Sequence, residues 1–445
     1  MRAPGNRTGS FFESRLDAVF ASVMFGYAAL LIAWLVLQPI PPLQDYEDWV
    51  YQGWVGAQML SGQPAVIAHY APVHHPVPNA ASQMALTLLT AVAGPFVAAK
   101  LFIATLLAAF AAVCSTGCRK LRVGNHGALA LVLFLVFAAD SAFWDGYVNY
   151  QLSLLVLFCY LLLRDRLSPL SVGAFGILLF ACHASTFFAF VLLVFIEGVL
   201  DRKRLPRFFA LAPALALLVW YVLRKGDAVA DQGPPGALYT GLLHHLEYKF
   251  YTLTKTGPFH NLVDFRNASL RDRSRLLYLF GVGINLVFGT VFSFGVLLPA
   301  WRFGRRQLRD PLLLTAIALF LIFLVLPGKT LGVINLGERL LYPGLLMAVL
   351  GMRRLDFSRT LAALGVCGIA LTSAQFLTMP RVTAASPDSS FESTMPANEQ
   401  YYDRYGLYNN RLYAFDLYRI FLQKPDMHRL PPVGFDTSLF LDRHP

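Results

Sequence analysis

The sequence predicts an all-α polytopic membrane protein of about eleven transmembrane helices, within a range of about 10 to 12, with its N-terminus inside and its C-terminus outside. Three observations carry that reading. Of 445 residues, 56% are hydrophobic and only 14% are charged, with 36 Phe, which is too apolar for a soluble globular chain. Apolar runs recur along most of the length, broken by short polar segments. The basic residues gather in alternate breaks, the pattern that orients helices across a bilayer.

The formal net charge of +11 invites a nucleic-acid reading, but those bases sit in short clusters between apolar runs. Orientation in the bilayer and contact with anionic head groups explain them better, so membrane lipids are expected partners and nucleic acid is not. The five Cys all lie in or beside apolar runs, which gives no disulfide framework.

In chain order, the first apolar run covers 16–37, after Arg2, Arg7 and Arg15. Its roughly 22 residues suit an uncleaved spanning helix better than a signal peptide. Pro39, Pro41 and Pro42 stop it. No Lys or Arg occurs between Arg15 and Lys100, which puts the loop at 38–83 on the non-cytoplasmic face. Tyr46, Trp49, Val50, Gly53, Trp54, Ala57 and Leu60 recur there at helical spacing. They predict an interfacial helix over 45–60 with Asp45, Asp48 and Gln52 on its other face.

The stretch 80–93, about 14 residues, is short for a span and reads as a half-buried or re-entrant element ended by Gly94-Pro95. Residues 96–116 cross inward to Arg119, Lys120 and Arg122, and 128–139 cross back to a second acidic, aromatic loop at 140–149. Segments 152–163, 172–181, 187–200 and 208–223 alternate in, out, in and out, several being short enough to be tilted or broken. An external loop over 224–275, roughly 50 residues, is long enough to be functional or disordered. The crossings 276–298, 312–326, 340–350 and 361–377 complete the set, and every basic cluster between spans then faces the cytoplasm. The chain thus divides into a transmembrane domain over 1–379 and a tail over 380–445 that packs on its external face.

Asp45, Glu47 and Asp48 are the first candidates for chemistry. Carboxylates beside a lipid surface can deprotonate a sugar hydroxyl, or hold a divalent ion, Mg or Mn, against a phosphate leaving group. Acids at a helix start also simply favour its positive end. Asp140 and Asp145 could add a second carboxylate, although Asp145-Gly146 also makes an ordinary turn. His69, His74 and His75 either join Asp45 or Asp48 at a metal or lie on the surface. His183 follows an apolar run, where an ionisable side chain is either functional or held by a neighbouring helix. Arg339 opens a span on the external side, where it could grip a phosphate, pair with Glu338 or anchor at the head groups; Lys329 is a second phosphate candidate.

This layout resembles the GT-C superfamily of membrane glycosyltransferases. The residues that carry the resemblance are Asp45, Glu47 and Asp48 after a first span, the helix end at Met59 to Gly62, and His75-Pro76-Val77-Pro78-Asn79 before the next apolar element. Gly94-Pro95 with Lys100, the loop with Asp140 and Asp145, His183, and Glu338-Arg339-Leu340-Leu341-Tyr342-Pro343 extend it over 16–355. The resemblance implies a GT-C-like external juxtamembrane helix and sugar transfer from a polyprenyl-phosphate donor to a lipid, glycan or protein acceptor outside the cell. It gives Asp45 the role of base or metal ligand with Glu47 or Asp48 as partners, and an Arg the donor phosphate. Composition adds a bacterial inner-membrane setting. The alternatives are a transporter or flippase of a lipid-linked or amphipathic solute and a GT-C-like protein without turnover. Ionisable residues gathered at one face favour the enzyme, because a transporter places them at mid-bilayer.

Overall fold

The computed structural model describes residues 7–37, 41, 43, 46–120, 126–229, 241–259, 275–302, 309–327, 329–330, 333–334, 336–351, 358–383 and 421–423. Nearly all of these are helical. The first six helices are α1 (Arg7–Leu37), α2 (Tyr46–Leu60), α3 (Pro64–His69), α4 (Ala80–Ala93), α5 (Pro95–Lys120) and α6 (His126–Phe137). A short α7 (Ser141–Trp144) leads to α8 (Val148–Leu163), α9 (Pro169–Cys182), α10 (Ala184–Leu200), α11 (Leu205–Phe209), α12 (Ala212–Val229) and α13 (Leu242–Thr254). The last are α14 (Arg275–Arg302), α15 (Pro311–Val325), α16 (Leu336–Gly351) and α17 (Ser358–Thr383).

Among the described residues, three helices are long and apolar enough to cross a membrane by themselves: Arg15–Leu37, Pro95–Arg119 and Val148–Arg166. A bent pair, Arg202–Phe209 with Ala212–Arg224, turns by 48° and passes the same test when joined. Several shorter apolar helices complete the bundle.

The core is built on two helices whose sequences leave no polar face. α6, GALALVLFLVF after its first residue, is buried from Gly127 to Phe137, and α16 is buried at nearly every position. A helix apolar all round belongs inside a larger assembly. Gly127 lets α6 start against the backbone of α1, and its N–H donates to Asp17. α16 runs antiparallel to α15, with Gly337 on Phe323, Gly344 on Leu319 and Gly351 on Leu313. Small residues at that spacing allow the two backbones to approach.

The contacts also define two ends of the bundle. At one end Arg164, just past α8, meets Glu197, late in α10, at 3.2 Å. α9 and α10 are therefore a helical hairpin that turns at His183, at the other end. There Trp34, late in α1, packs edge-on to Trp144, and the Tyr46 hydroxyl donates to the Ala99 carbonyl at 2.8 Å. Arg164, Arg204 and Arg207 gather around Glu197 at the first end, while the His183 end holds the acids Asp140, Asp145 and Glu338 together with Arg339 and Lys255.

Four expectations need revision. The helix at 45–60 was expected to be one-sided, but in α2 Tyr51, Gln52 and Val55 are buried as well as Tyr46, Trp49 and Trp54. α4 covers one side, with Leu86 pressed onto Gly53, and the strand pair β1 (Tyr70–Pro72) and β4 (Phe421–Gln423) covers another. The second revision concerns 224–275, read as a loop, which contains α13. The third is the start of the tail, since 380–383 belong to α17; residues 421–423 of the tail pair antiparallel with the first loop, Tyr70 opposite Gln423, and its other residues lie outside the described residues. The fourth is that α1 begins at Arg7 and α14 extends to Arg302, each longer than its apolar run.

α4 has an inverted pattern: Met84, Leu88 and Val92 face outward while Ser82, Gln83 and Thr87 are buried. α13 exposes Leu242, Leu246 and Phe250 together with His244 and Glu247, and buries Lys249 and Thr252 together with Tyr248 and Leu253. Apolar residues at i, i+4 and i+8 on the outer surface are what lipid, not water, stabilises. At about 21 Å and 20 Å, neither helix is long enough to cross the hydrocarbon alone.

Gly53 provides a direct test of the α2–α4 contact. A Cβ there would lie 2.7 Å from the Leu86 Cβ and 3.0 Å from its backbone carbon, which cannot swing away. Gly53→Ala is expected to lower stability by about 1–3 kcal/mol, read as a fall in melting temperature in detergent. An unchanged melt would mean that α2 and α4 do not touch there.

Candidate functional site

At the His183 end, four segments bring their polar residues into one largely buried cluster of side chains, hereafter the chamber: the turn from α6 through α7 to α8, the start of α8, the α9–α10 turn, and the first turn of α16. α13 lies across it.

Asp140 caps α7. Its Oδ1 accepts from the Phe143 N–H at 3.0 Å and from Gln151 Nε2 at 2.7 Å. The residue is fully buried, and its Oδ2 has no hydrogen bond of good geometry among the described residues. Burial pushes the carboxyl up to about 8, against the opposing pull of the Phe143 N–H and with a further push from Glu338 and Asp145. With Oδ1 already holding two donors, Oδ2 is the atom left for a proton. Asp145 is buried at the following turn, where Gly146 takes φ 79°, a conformation that suits glycine. The ordinary-turn reading of Asp145-Gly146 holds, and the acid is inside the chamber as well.

Tyr150 connects the next two segments. Its hydroxyl donates to the Arg339 carbonyl at 3.0 Å, and its ring meets His183 edge-on at 5.1 Å and Tyr342 at 6.2 Å. His183 Nδ1 accepts the Ser185 N–H at 3.3 Å and lies 2.8 Å from Ser185 Oγ, so it caps α10 and its proton sits on Nε2. Burial, and then the charge of Arg339, hold this imidazole well below its ordinary pKa, in the neutral form. His183 is thus both a structural cap and a chamber wall.

Arg339 lies with its guanidinium carbon 4.9 Å from the centre of the Tyr147 ring, and its Nε has no hydrogen-bond partner among the described residues. Glu338 is not its partner. That carboxylate is 4.0 Å from Lys255 Nζ, and the Tyr342 hydroxyl donates to the Lys255 carbonyl at 3.4 Å. Cation–π contact leaves the Arg339 donors available to an incoming anion in a way a salt bridge would not.

Asp140, Asp145, His183 and Arg339, scattered over about 200 residues, are therefore brought together. The other candidates are not shown in this chamber. Asp45 lies outside the described residues, as do the side chains of Glu47, Asp48 and Lys329; Glu47 and Asp48 fall in the first turn of α2, and Lys329 on a two-residue strand, β2 (Lys329–Thr330), paired with β3 (Val333–Ile334). His74 is exposed, and His75 is half-buried with its ring 6.5 Å from Tyr221 of α12. Among the described residues no group of three or more His, Cys, Asp or Glu side chains is placed to hold a metal ion. The divalent-ion proposal for Asp45 and Asp48 thus falls on side chains outside that set.

Sequence reasoning missed Lys249, Lys255 and Gln151. The signal for Lys249 was present in the Leu242, Leu246, Phe250 stripe, which marks a helix inside what reads as a loop. Nothing local marked Gln151, whose role depends on the α7 cap, Asp140, 11 residues before it.

The fold and chamber define a helical membrane protein that gathers ionisable groups, buried, at one end of an apolar bundle. No protein-family model, curated protein or solved structure matches the chain.

Proposed function

We propose that this protein is a glycosyltransferase that moves a sugar from a polyprenyl-phosphate donor to an acceptor on the non-cytoplasmic face. In this reading it is a GT-C-like enzyme with eleven crossings, N-terminus inside and C-terminus outside, in a bacterial cell membrane. The observation that carries the reading is the chamber itself. A carboxyl poised near neutral pH, a guanidinium whose Nε has no partner among the described residues and a wall of tyrosines share one end of the bundle.

The chemistry needs three things from these residues. An acceptor hydroxyl must lose a proton as its oxygen bonds to the anomeric carbon; Asp140 Oδ2 takes that proton, and its raised pKa makes the ionised form a stronger base than an ordinary carboxylate. The bond from the anomeric carbon to the phosphate oxygen breaks, and the phosphate leaves with the electron pair. Arg339 holds that developing charge bidentately, in a site from which water is excluded. Asp45, with Glu47 and Asp48, is assigned to the donor side, as partner base or as ligand of a divalent cation that would neutralise the leaving phosphate when bound.

The test uses purified protein in lipid with a panel of radiolabelled polyprenyl-phosphate sugars and membrane-lipid acceptors, with and without added Mg or Mn. Wild type is expected to release label from one donor. Arg339→Met is expected to raise KM for that donor at least about tenfold, the loss of a charge-assisted pair, and Asp45→Asn to lower turnover. Movement of intact donor across the bilayer with no label transferred would replace the enzyme by a transporter.

A further inference from the structure

On the other side of the α16 first turn from Arg339, at Gly337, lies a second cation with a different environment. Lys249 projects inward from α13 and is only 2% exposed, yet its Nζ has no hydrogen-bond partner among the described residues. Its nearest company is aromatic: 4.6 Å to the centre of the Phe323 ring and 5.5 Å to that of Tyr248. Nζ sits 3.0 Å from where a Cβ on Gly337 would be, so it lies directly against the turn that opens α16. Glu338 is the one acid shown to favour its charge, and that carboxylate already faces Lys255.

An ammonium without an acceptor, taken out of water, is costly, and a protein keeps one only where something fills its three donor positions. Two features say what does. The first turn of a 16-residue helix carries N–H groups that have no acceptor within the helix, and the positive end of the helix dipole. Those would repel a lone lysine and attract an oxyanion. Gly337 contributes the space, because any side chain there would crowd Nζ.

We infer that Lys249 and the first turn of α16 at Gly337 form a binding site for a phosphate-type oxyanion, separate from the guanidinium of Arg339. The site stands whether or not the chamber transfers a sugar. Its ligand is a phosphate group, carried either on a membrane lipid or free in solution. The lipid source matches α13, whose Leu242, Leu246 and Phe250 are exposed apolar side chains while Lys249 is buried.

The experiment is thermal unfolding of the full-length protein in lipid nanodiscs with inorganic phosphate, with pyrophosphate, and with a polyprenyl phosphate in the bilayer, each against chloride. Wild type is expected to melt higher with at least one of them, by about 3 °C or more at saturation. Lys249→Met keeps the length of the side chain and removes the charge. It is expected to melt above wild type in chloride and to lose at least about four-fifths of the phosphate-induced shift, with Lys249→Arg retaining it. A shift only with the lipid phosphate assigns the site to a head group, and a shift with the free anions assigns it to a soluble ligand; either supports the site. The inference is overturned if Lys249→Met melts well below wild type in chloride, because the ammonium then has a structural partner. It is equally overturned if the phosphate shift survives in Lys249→Met, or if no phosphate compound shifts wild type. Loss of sugar transfer with the phosphate shift intact would refute the glycosyltransferase reading alone.

Discussion

Asp140→Asn is expected to reduce sugar transfer by about 10²–10⁴-fold while leaving the protein folded. The amide keeps the acceptor that Phe143 and Gln151 use and is the same shape as the protonated acid, but it cannot take a proton. The same variant should also change how stability depends on pH, and the sign follows from the shift. In the unfolded chain the carboxyl ionises near its ordinary 3.8, and in the folded protein only near about 8. Between those values the folded state binds the extra proton, so wild-type stability falls as pH rises, at about 1.4 kcal/mol per unit, and levels off above the folded value. Asp140→Asn is expected to flatten that slope and to melt higher than wild type at pH 7. Melting curves from pH 5 to pH 9 test it. Parallel slopes in the two proteins would show that Asp140 is ionised when folded, and with that the argument for a base poised near neutrality fails.

Glu197→Gln is the largest loss of stability expected, about 3–5 kcal/mol. The Glu197 side chain is completely buried near the end of α10, with Arg164 and Arg204 each 3.2 Å from Oε1 and Arg207 3.9 Å from Oε2. Arg204 extends the network to Asp165 at 3.2 Å, and Arg207 donates to the Leu167 carbonyl at 2.9 Å. This knot ties the end of α8 to the α9–α10 hairpin and to α11. Removing the shared carboxylate charge leaves three guanidinium groups facing one another in a poorly solvated place. Arg204→Ala should cost much less, because Arg204 is one-third exposed and water replaces part of what it loses. Chemical denaturation of the two variants in the same detergent checks the order, and equal losses would mean that the carboxylate is not the centre of the network.

Much of this molecule was legible without coordinates because the relevant forces are local. Apolar composition with few charges set the class of protein. The apolar runs and the polar breaks between them gave α8, α9 and α10 as successive helices, and the contacts group their ends: Arg164 meets Glu197 at one, while Asp140, His183 and Arg339 meet at the other. Asp145-Gly146 announced its turn, since Gly146 needs a left-handed backbone that most residues avoid.

What the tertiary structure decided are the relations between residues far apart in the chain. Tyr150 reaches Arg339 across 189 positions and Tyr342 reaches Lys255 across 87, and no periodicity encodes such pairs. A one-sided pattern of aromatic residues suggested that α2 floats at an interface; only packing against α4 and the β1–β4 pair shows it enclosed. Lys249 shows the difference most clearly. The sequence places it in a basic, polar stretch where water would solvate it, whereas the fold lays α13 over the start of α16 and shuts its ammonium away from solvent. Burial decides whether a charge is a solubilising group or a binding group, because desolvation depends on what surrounds a side chain in space and not on its neighbours along the chain.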